Sequence, residues 1–187
     1  MLNGLVNVGD FLVNLVFGLY AFILLIRFFL QWVKADFYNP VCQLVMRATN
    51  PIVLSFRKIV PGFLGLDWAC IIAAYFVFVV QNLILCLLNG IGFNEIIVFV
   101  KPFLDIVFAI INMYVYLILI RAIASWFARG GYNPVLMIIH QLTEPLLARA
   151  RAIIKPRSGF DFSPILVMIA LFCIQIFLQS AMAQFFA

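Results

Sequence analysis

The sequence predicts an all-α membrane protein with four transmembrane helices arranged as two parallel repeats. Each repeat carries a short amphipathic helical hairpin on the cytoplasmic side. Three observations predict this. The 187 residues have a mean hydropathy of +1.19 and only 10% charged residues, which is not the composition of a soluble globular domain. Four runs, Phe11–Val33, Trp68–Leu88, Phe103–Phe127 and Ser163–Phe186, each reach the roughly 20 mostly apolar residues needed to cross a bilayer. The two halves of the chain also repeat one another in their polar residues and prolines.

The stretch before the first run, MLNGLVNVGD, has no Lys or Arg. It lacks the basic start of a secretory signal, so no cleavage is expected. After the first run comes YNPVCQLVMRATNPIVLSFRKIVP, Tyr38 to Pro61. Here Asn39 suits an N-cap and Pro40 the first helical position. Val41, Leu44, Val45 and Ala48 then recur at helical spacing. Thr49 and Pro51 start a second short helix with Ile52, Phe56, Ile59 and Val60 on its apolar face, and Pro61 ends it. At about ten residues, each such helix spans roughly 15 Å and cannot cross. A hairpin in the headgroup layer and a re-entrant hairpin are both open, and the amphipathic, basic pattern favours the first.

The second run then crosses back, and the third begins the sequence of events again. Its hairpin is YNPVLMIIHQLTEPLLARARAIIKP, Tyr132 to Pro156. Asn133 and Pro134 stand as caps, followed by Val135, Ile138, Ile139 and Leu142 on one face. Thr143 and Pro145 open its second helix, with Glu144 beside the positive helix end.

Charge orients the chain. Lys34, Arg47, Arg57 and Lys58 lie between runs one and two; Arg129, Arg149, Arg151, Lys155 and Arg157 lie between runs three and four. The tails and the middle loop hold only Lys101. The positive-inside rule therefore puts both basic segments in the cytoplasm and the termini outside. Trp32, Trp68 and Trp126 fall at the cytoplasmic span ends, where interfacial indoles belong. The net charge of +5 is thus explained by a membrane surface, and no nucleic-acid partner is called for.

The repeats align at an offset of 94 residues, which carries Arg27 onto Arg121, Trp32 onto Trp126 and Asn39-Pro40 onto Asn133-Pro134. Thr49-x-Pro51 falls on Thr143-x-Pro145, Arg57 on Arg151, Asp67 on Asp161 and Gln81 on Gln175, with a one-residue slip at Pro61 and Pro156. Greasiness cannot produce that match, so residues 1–93 and 94–187 are read as internal repeats. An even number of spans per unit makes them parallel, about an axis along the membrane normal.

The paired order Arg-x4-Trp, Asn-Pro, Thr-x-Pro, Arg-x3–4-Pro, followed by Asp161-x-Ser163-Pro164, resembles the YggT family of bacterial inner-membrane proteins over essentially the whole chain. The first copy departs at its end, with Asp67-Trp-Ala-Cys in place of Asp-x-Ser-Pro. The resemblance implies an association with osmotic and extracytoplasmic stress tolerance. It also implies kinship to proteins near cell division or, in plastids, to cytochrome-complex assembly.

Candidate sites follow from the duplicated polar residues. Arg57, Arg151, Lys58 and Arg149 stand at the cytoplasmic interface, where they would grip anionic headgroups or a partner at about 1 kcal/mol each, or simply set topology. Arg27 and Arg121 lie inside their spans; each snorkels, pairs with Asp67 or Asp161, or serves an ion pathway. Gln81, Gln175, Asn14 and Asn112 are mid-membrane amides that bond between helices or line a passage. His140 has no partnered ligand in metal spacing, and the cysteines Cys42, Cys70, Cys86 and Cys173 read as small buried apolar residues. No metal, cofactor or catalytic constellation is expected. Two functions stand side by side: a non-enzymatic scaffold or assembly factor, with the bilayer and a membrane protein or a second copy as partners, and a small oligomeric channel or osmolyte pathway.

Overall fold

A computed structural model of the chain describes residues 2–60, 62, 65–90, 92–127, 133–153 and 161–185. Six α-helices follow in order: α1 (Leu2–Trp32), α2 (Pro40–Arg57), α3 (Trp68–Leu88), α4 (Lys101–Phe127), α5 (Pro134–Ile153) and α6 (Ser163–Phe185). Among the described residues there is no strand. Four helical stretches, Gly4–Trp32, Trp68–Leu88, Ile96–Ser125 and Ser163–Gln184, are long and apolar enough to cross a bilayer. The chain is a multi-pass membrane protein. The expected Tyr132, Pro61, Pro156, Arg129, Lys155 and Arg157, and the side chain of Trp126, lie outside the described residues.

Helix α1 starts earlier than the apolar run, because Asn3, Gly4, Asn7 and Gly9 weaken a helix without ending it. Before α4 runs a wider π-type turn, Ile96–Val100. Asn94 Oδ1 caps it, accepting from Ile96 N at 3.0 Å and Ile97 N at 3.3 Å. Pro102, in the first turn of α4, has no N–H to give the Val98 carbonyl, and the wide turn sits where that bond is missing.

The expected hairpins are not there. Each is one continuous helix, α2 of 18 residues and α5 of 20, with Pro51 and Pro145 inside. Asn39 and Asn133 do cap them: Asn39 Oδ1 accepts from Val41 N at 2.9 Å, and Asn133 Oδ1 from Val135 N at 2.9 Å. Thr49 and Thr143 are not caps. Their hydroxyls turn back along the helix, donating to Val45 O at 2.6 Å and Ile139 O at 2.7 Å. That back-bond is the ordinary role of a mid-helix threonine, and it consumes the group that would have started a second helix.

Helix α2 packs on α1 and α3 through Cys42, Val45, Thr49 and Val53. Leu44, which the sequence groups with Val41, Val45 and Ala48 at helical spacing, is 70% exposed, because the inward stripe is set by Thr49 and follows its 3.6-residue period. Likewise Val135 is exposed on α5, while Ile138, Ile139 and Leu142 are buried.

By internal packing the chain forms two units, Met1–Ile110 and Ile111–Ala187. In the first, Leu24 and Leu25 of α1 and Ala69, Ala73 and Ala74 of α3 are fully buried, and small residues let helix backbones approach. The π-type turn packs on α3, which draws the start of α4 into this unit. In the second, Ile118, Leu147, Ala150 and Val167 form the core.

Candidate functional site: two arginine clusters

Arg27 leaves α1 five residues before its end and is only 8% exposed. A buried guanidinium needs acceptors for its donors. The stripe that packs α2 on α1 supplies them. Thr49 Oγ1 donates its hydrogen bond to the Val45 carbonyl, so its lone pairs accept from Arg27 Nη1 at 2.7 Å. Asn50 Oδ1 accepts from the same nitrogen at 2.9 Å.

Asp67 brings the charge. It stands at the start of α3, 2% exposed, with Oδ2 3.9 Å from Arg27 Nη2. The same oxygen accepts from Arg57 Nε at 3.1 Å and from Arg57 Nη2. Two arginines thus converge on one carboxylate oxygen. The bond to Asp67 raises the Arg57 pKa above its ordinary value against the opposing effect of burial. Gln31 holds the loop that presents Asp67: its Oε1 accepts from Asp67 N at 3.1 Å, and its Nε2 donates to Gly65 O at 2.9 Å. Gly65 has φ +75°, a conformation that glycine takes without steric cost.

The second unit builds the cluster again with a different distribution. Arg121 Nη1 donates to Thr143 Oγ1 at 2.8 Å and Arg121 Nη2 to Glu144 Oε2 at 2.8 Å. Arg151 Nη1 donates to Glu144 Oε1 at 2.7 Å, and its Nε to Asp161 Oδ2 at 3.0 Å. Asp161 Oδ1 accepts from Ser163 N at 2.9 Å, tying the cluster to the start of α6. The bonds from Arg151 and then Arg121 hold the Glu144 carboxyl below its ordinary pKa, although burial opposes them. For Asp161, burial pushes upward, but the bonds from Ser163 and Arg151 outweigh it and the pKa is lowered.

The structure therefore brings Arg27, Thr49, Arg57 and Asp67 together, and Arg121, Thr143, Arg151 and Asp161. The arginines within the spans are bonded to a threonine hydroxyl and to Asn50 or Glu144 rather than extended to the surface. Arg27 approaches Asp67, whereas Arg121 turns to Glu144 and leaves Asp161 to Arg151. Lys58 and Arg149 are exposed outside the clusters.

The mid-span amides are dispersed. Gln81 Nε2 donates to Asn14 Oδ1 at 2.7 Å. Gln81 Oε1 and Gln175 Oε1 are buried without a partner among the described residues. Asn112 is half-buried in α4.

A third polar group was not expected from sequence. Lys101 Nζ donates to both oxygens of Asp105 at 2.9 Å and to Asn82 Oδ1 at 3.0 Å, and Asn82 Nδ2 donates to Asp105 Oδ2 at 2.9 Å. The i,i+4 spacing of Lys101 and Asp105 is its signal, and Asn82, 2% exposed, satisfies the remaining bonds. Cys42, Cys70 and Cys86 are buried free thiols, but Cys173 is exposed, because α6 turns most of its surface outward. His140 is held below its ordinary pKa, first by burial and then by Arg121. Among the described residues no group of three His, Cys, Asp or Glu is placed to hold a metal. What the first cluster can do, with two guanidiniums on one carboxylate, is hold positive charge at a fixed place and donate hydrogen bonds to an anion.

Comparison with known proteins agrees with the duplication. The family model CCB3/YggT matches twice, over residues 6–88 and 100–182. An uncharacterised protein of Pseudomonas aeruginosa is 33% identical over 170 residues, 90% of this chain and 86% of that one. An uncharacterised protein of Vibrio alginolyticus is 35% identical over 168 residues, 88% of this chain and 90% of its own. The uncharacterised protein YggT of Escherichia coli K12 is 32% identical over 168 residues, 90% of this chain and 87% of its own. No solved structure matches.

Proposed function

The chain belongs to the CCB3/YggT family, and from that premise we propose that it is a non-enzymatic scaffold or assembly factor of the bacterial inner membrane. Its clustered arginines and its helices α2 and α5 face the cytoplasm, following the positive-inside rule. Its setting is the osmotic and extracytoplasmic stress response that the family resemblance implies.

The observation that carries this reading is the outer face of α2. Its inner face is locked to α1 and α3, while Leu44 is 70% exposed and Ile59, just past the helix end, is 79% exposed, beside the exposed Arg47 and Lys58. Apolar and basic side chains on one outward face suit the headgroup layer or a membrane-protein partner. Helix α5 repeats the arrangement with Val135 at 48% and Ile153 at 79% exposure, near the exposed Arg149.

The test places a photo-crosslinking residue at Leu44 in cell membranes and, in parallel, measures ion and osmolyte flux from proteoliposomes after an osmotic downshift. A scaffold gives a discrete cross-linked protein or lipid product and no flux. Flux that Gln81→Leu with Gln175→Leu abolishes would overturn it in favour of a channel. The unpartnered Gln81 Oε1 and Gln175 Oε1 are what support that second reading, since buried carbonyls of this kind accept from water or coordinate cations.

A further inference from the structure

Next to the threonine that holds the buried arginine, the second repeat has Glu144 and the first has Asn50. Glu144 bridges two guanidiniums, at 2.8 Å from Arg121 and 2.7 Å from Arg151. Asn50 offers Arg27 only a neutral amide oxygen, at 2.9 Å. Two arginines of the first cluster thus share one carboxylate, Asp67, where those of the second share Glu144 and Asp161. Among the ion-paired groups the first cluster keeps one positive charge in excess, beside an arginine that is 8% exposed.

The first cluster also has room. A cavity of about 370 Å³ is lined by Arg27, Arg57, Asn50 and Gln31 on its polar side and by Phe37 and Leu54 on its apolar side. Arg57 spends Nε and Nη2 on Asp67, and its Nη1 makes no hydrogen bond among the described residues. Arg57, half exposed, has a donor to spare at the mouth of the cavity, and the charge of the buried Arg27 behind it is little screened by water, so an anion placed between them is attracted. Planar guanidiniums match oxyanions of phosphate in particular.

We infer that this cavity binds a phosphate-bearing anion, held by Arg27 and Arg57, in the role that the Glu144 carboxylate fills within the second repeat. The phosphate comes from a phospholipid headgroup, whose glycerol end meets Phe37 and Leu54, or from free phosphate. The site extends the proposed lipid contact of α2 from a surface to a pocket, and for the lipid source it rests on that reading.

Thermal unfolding of the full chain in neutral detergent tests it, with phosphatidylglycerol or inorganic phosphate added in turn. The wild type is expected to be stabilised in a saturable way. A shift with phosphatidylglycerol alone identifies the headgroup, and a matching shift with inorganic phosphate identifies the free anion. Asn50→Glu supplies its own carboxylate and should weaken the apparent affinity about tenfold or more. If that variant does not fold, Asn50→Asp takes its place. No shift in the wild type, or an equal shift in the position-50 variant, overturns the inference. Cross-linking at Leu44 does not involve position 50, so the surface and the pocket fail separately.

Discussion

Arg27 donates to the Thr49 hydroxyl across 2.7 Å, and that hydroxyl in turn donates a hydrogen bond to the Val45 carbonyl at 2.6 Å. One threonine therefore serves a buried charge on α1 and a backbone carbonyl of α2 at once. Arg121 and Thr143 do the same at 2.8 Å in the second unit.

Thr49→Val keeps the shape and removes the acceptor. It should destabilise the chain by about 1–3 kcal/mol, the cost of stranding a buried donor. Thr49→Ser should recover most of that loss. Unfolding in detergent measures both, and a valine variant as stable as wild type would mean that the bond contributes nothing.

Asp67 and Asp161 are repeat equivalents with unequal duties. Asp67 is 2% exposed and is the carboxylate that both Arg27 and Arg57 approach. Asp67→Asn should cost about 2–4 kcal/mol, somewhat under the range for a fully buried pair because Arg57 is half exposed. Asp161 is 37% exposed and shares Arg151 with Glu144, so Asp161→Asn should cost less than about 1 kcal/mol. Equal losses in the same unfolding assay would refute this division.

Acid should loosen the second cluster through Glu144. Its folded pKa lies below the ordinary 4.5. A lowered carboxylate contributes stability that is present above the unfolded pKa and is lost as pH falls through the folded one. The loss therefore falls below about pH 4.5, where Asp161, lowered from 3.8, follows. Comparing melting temperatures of wild type and Glu144→Gln from pH 7 to 3 isolates the Glu144 share. The difference between the two should shrink as pH falls, and a constant difference would count against the assignment.

The Gln81–Asn14 bond at 2.7 Å is a link between α1 and α3 within their spans. A double-mutant cycle with Gln81→Leu and Asn14→Leu should give a coupling near 0.6 kcal/mol and below about 2. Zero coupling would show that the amides do not need each other.

The spans were legible from hydropathy, since a run of about 20 apolar residues has few alternatives. The duplication was legible because Arg27, Thr49, Arg57 and Asp67 recur in register. The continuity of α2 and α5 was not. Proline after Thr-x reads locally as a helix start, and only the tertiary demand of Arg27 for an acceptor turns Thr49 inward. Asn50 and Glu144 were visible as residues, but their meaning needed the side-chain geometry of both clusters together. Lys101 and Asp105 carried an i,i+4 signal, yet Asn82, the third member, arrives from another helix.

Synthesis order gives the two clusters different histories. Chains are made from the N-terminus and fold as they emerge. Arg27 and Arg57 both precede Asp67 in the chain, so the carboxylate of the first cluster is the last of its charged members to be made. In the second, Glu144 is made after Arg121, with which it pairs in the fold, and before Arg151. In one half of the molecule a neutralising carboxylate lies between the two arginines in the chain; in the other it follows both.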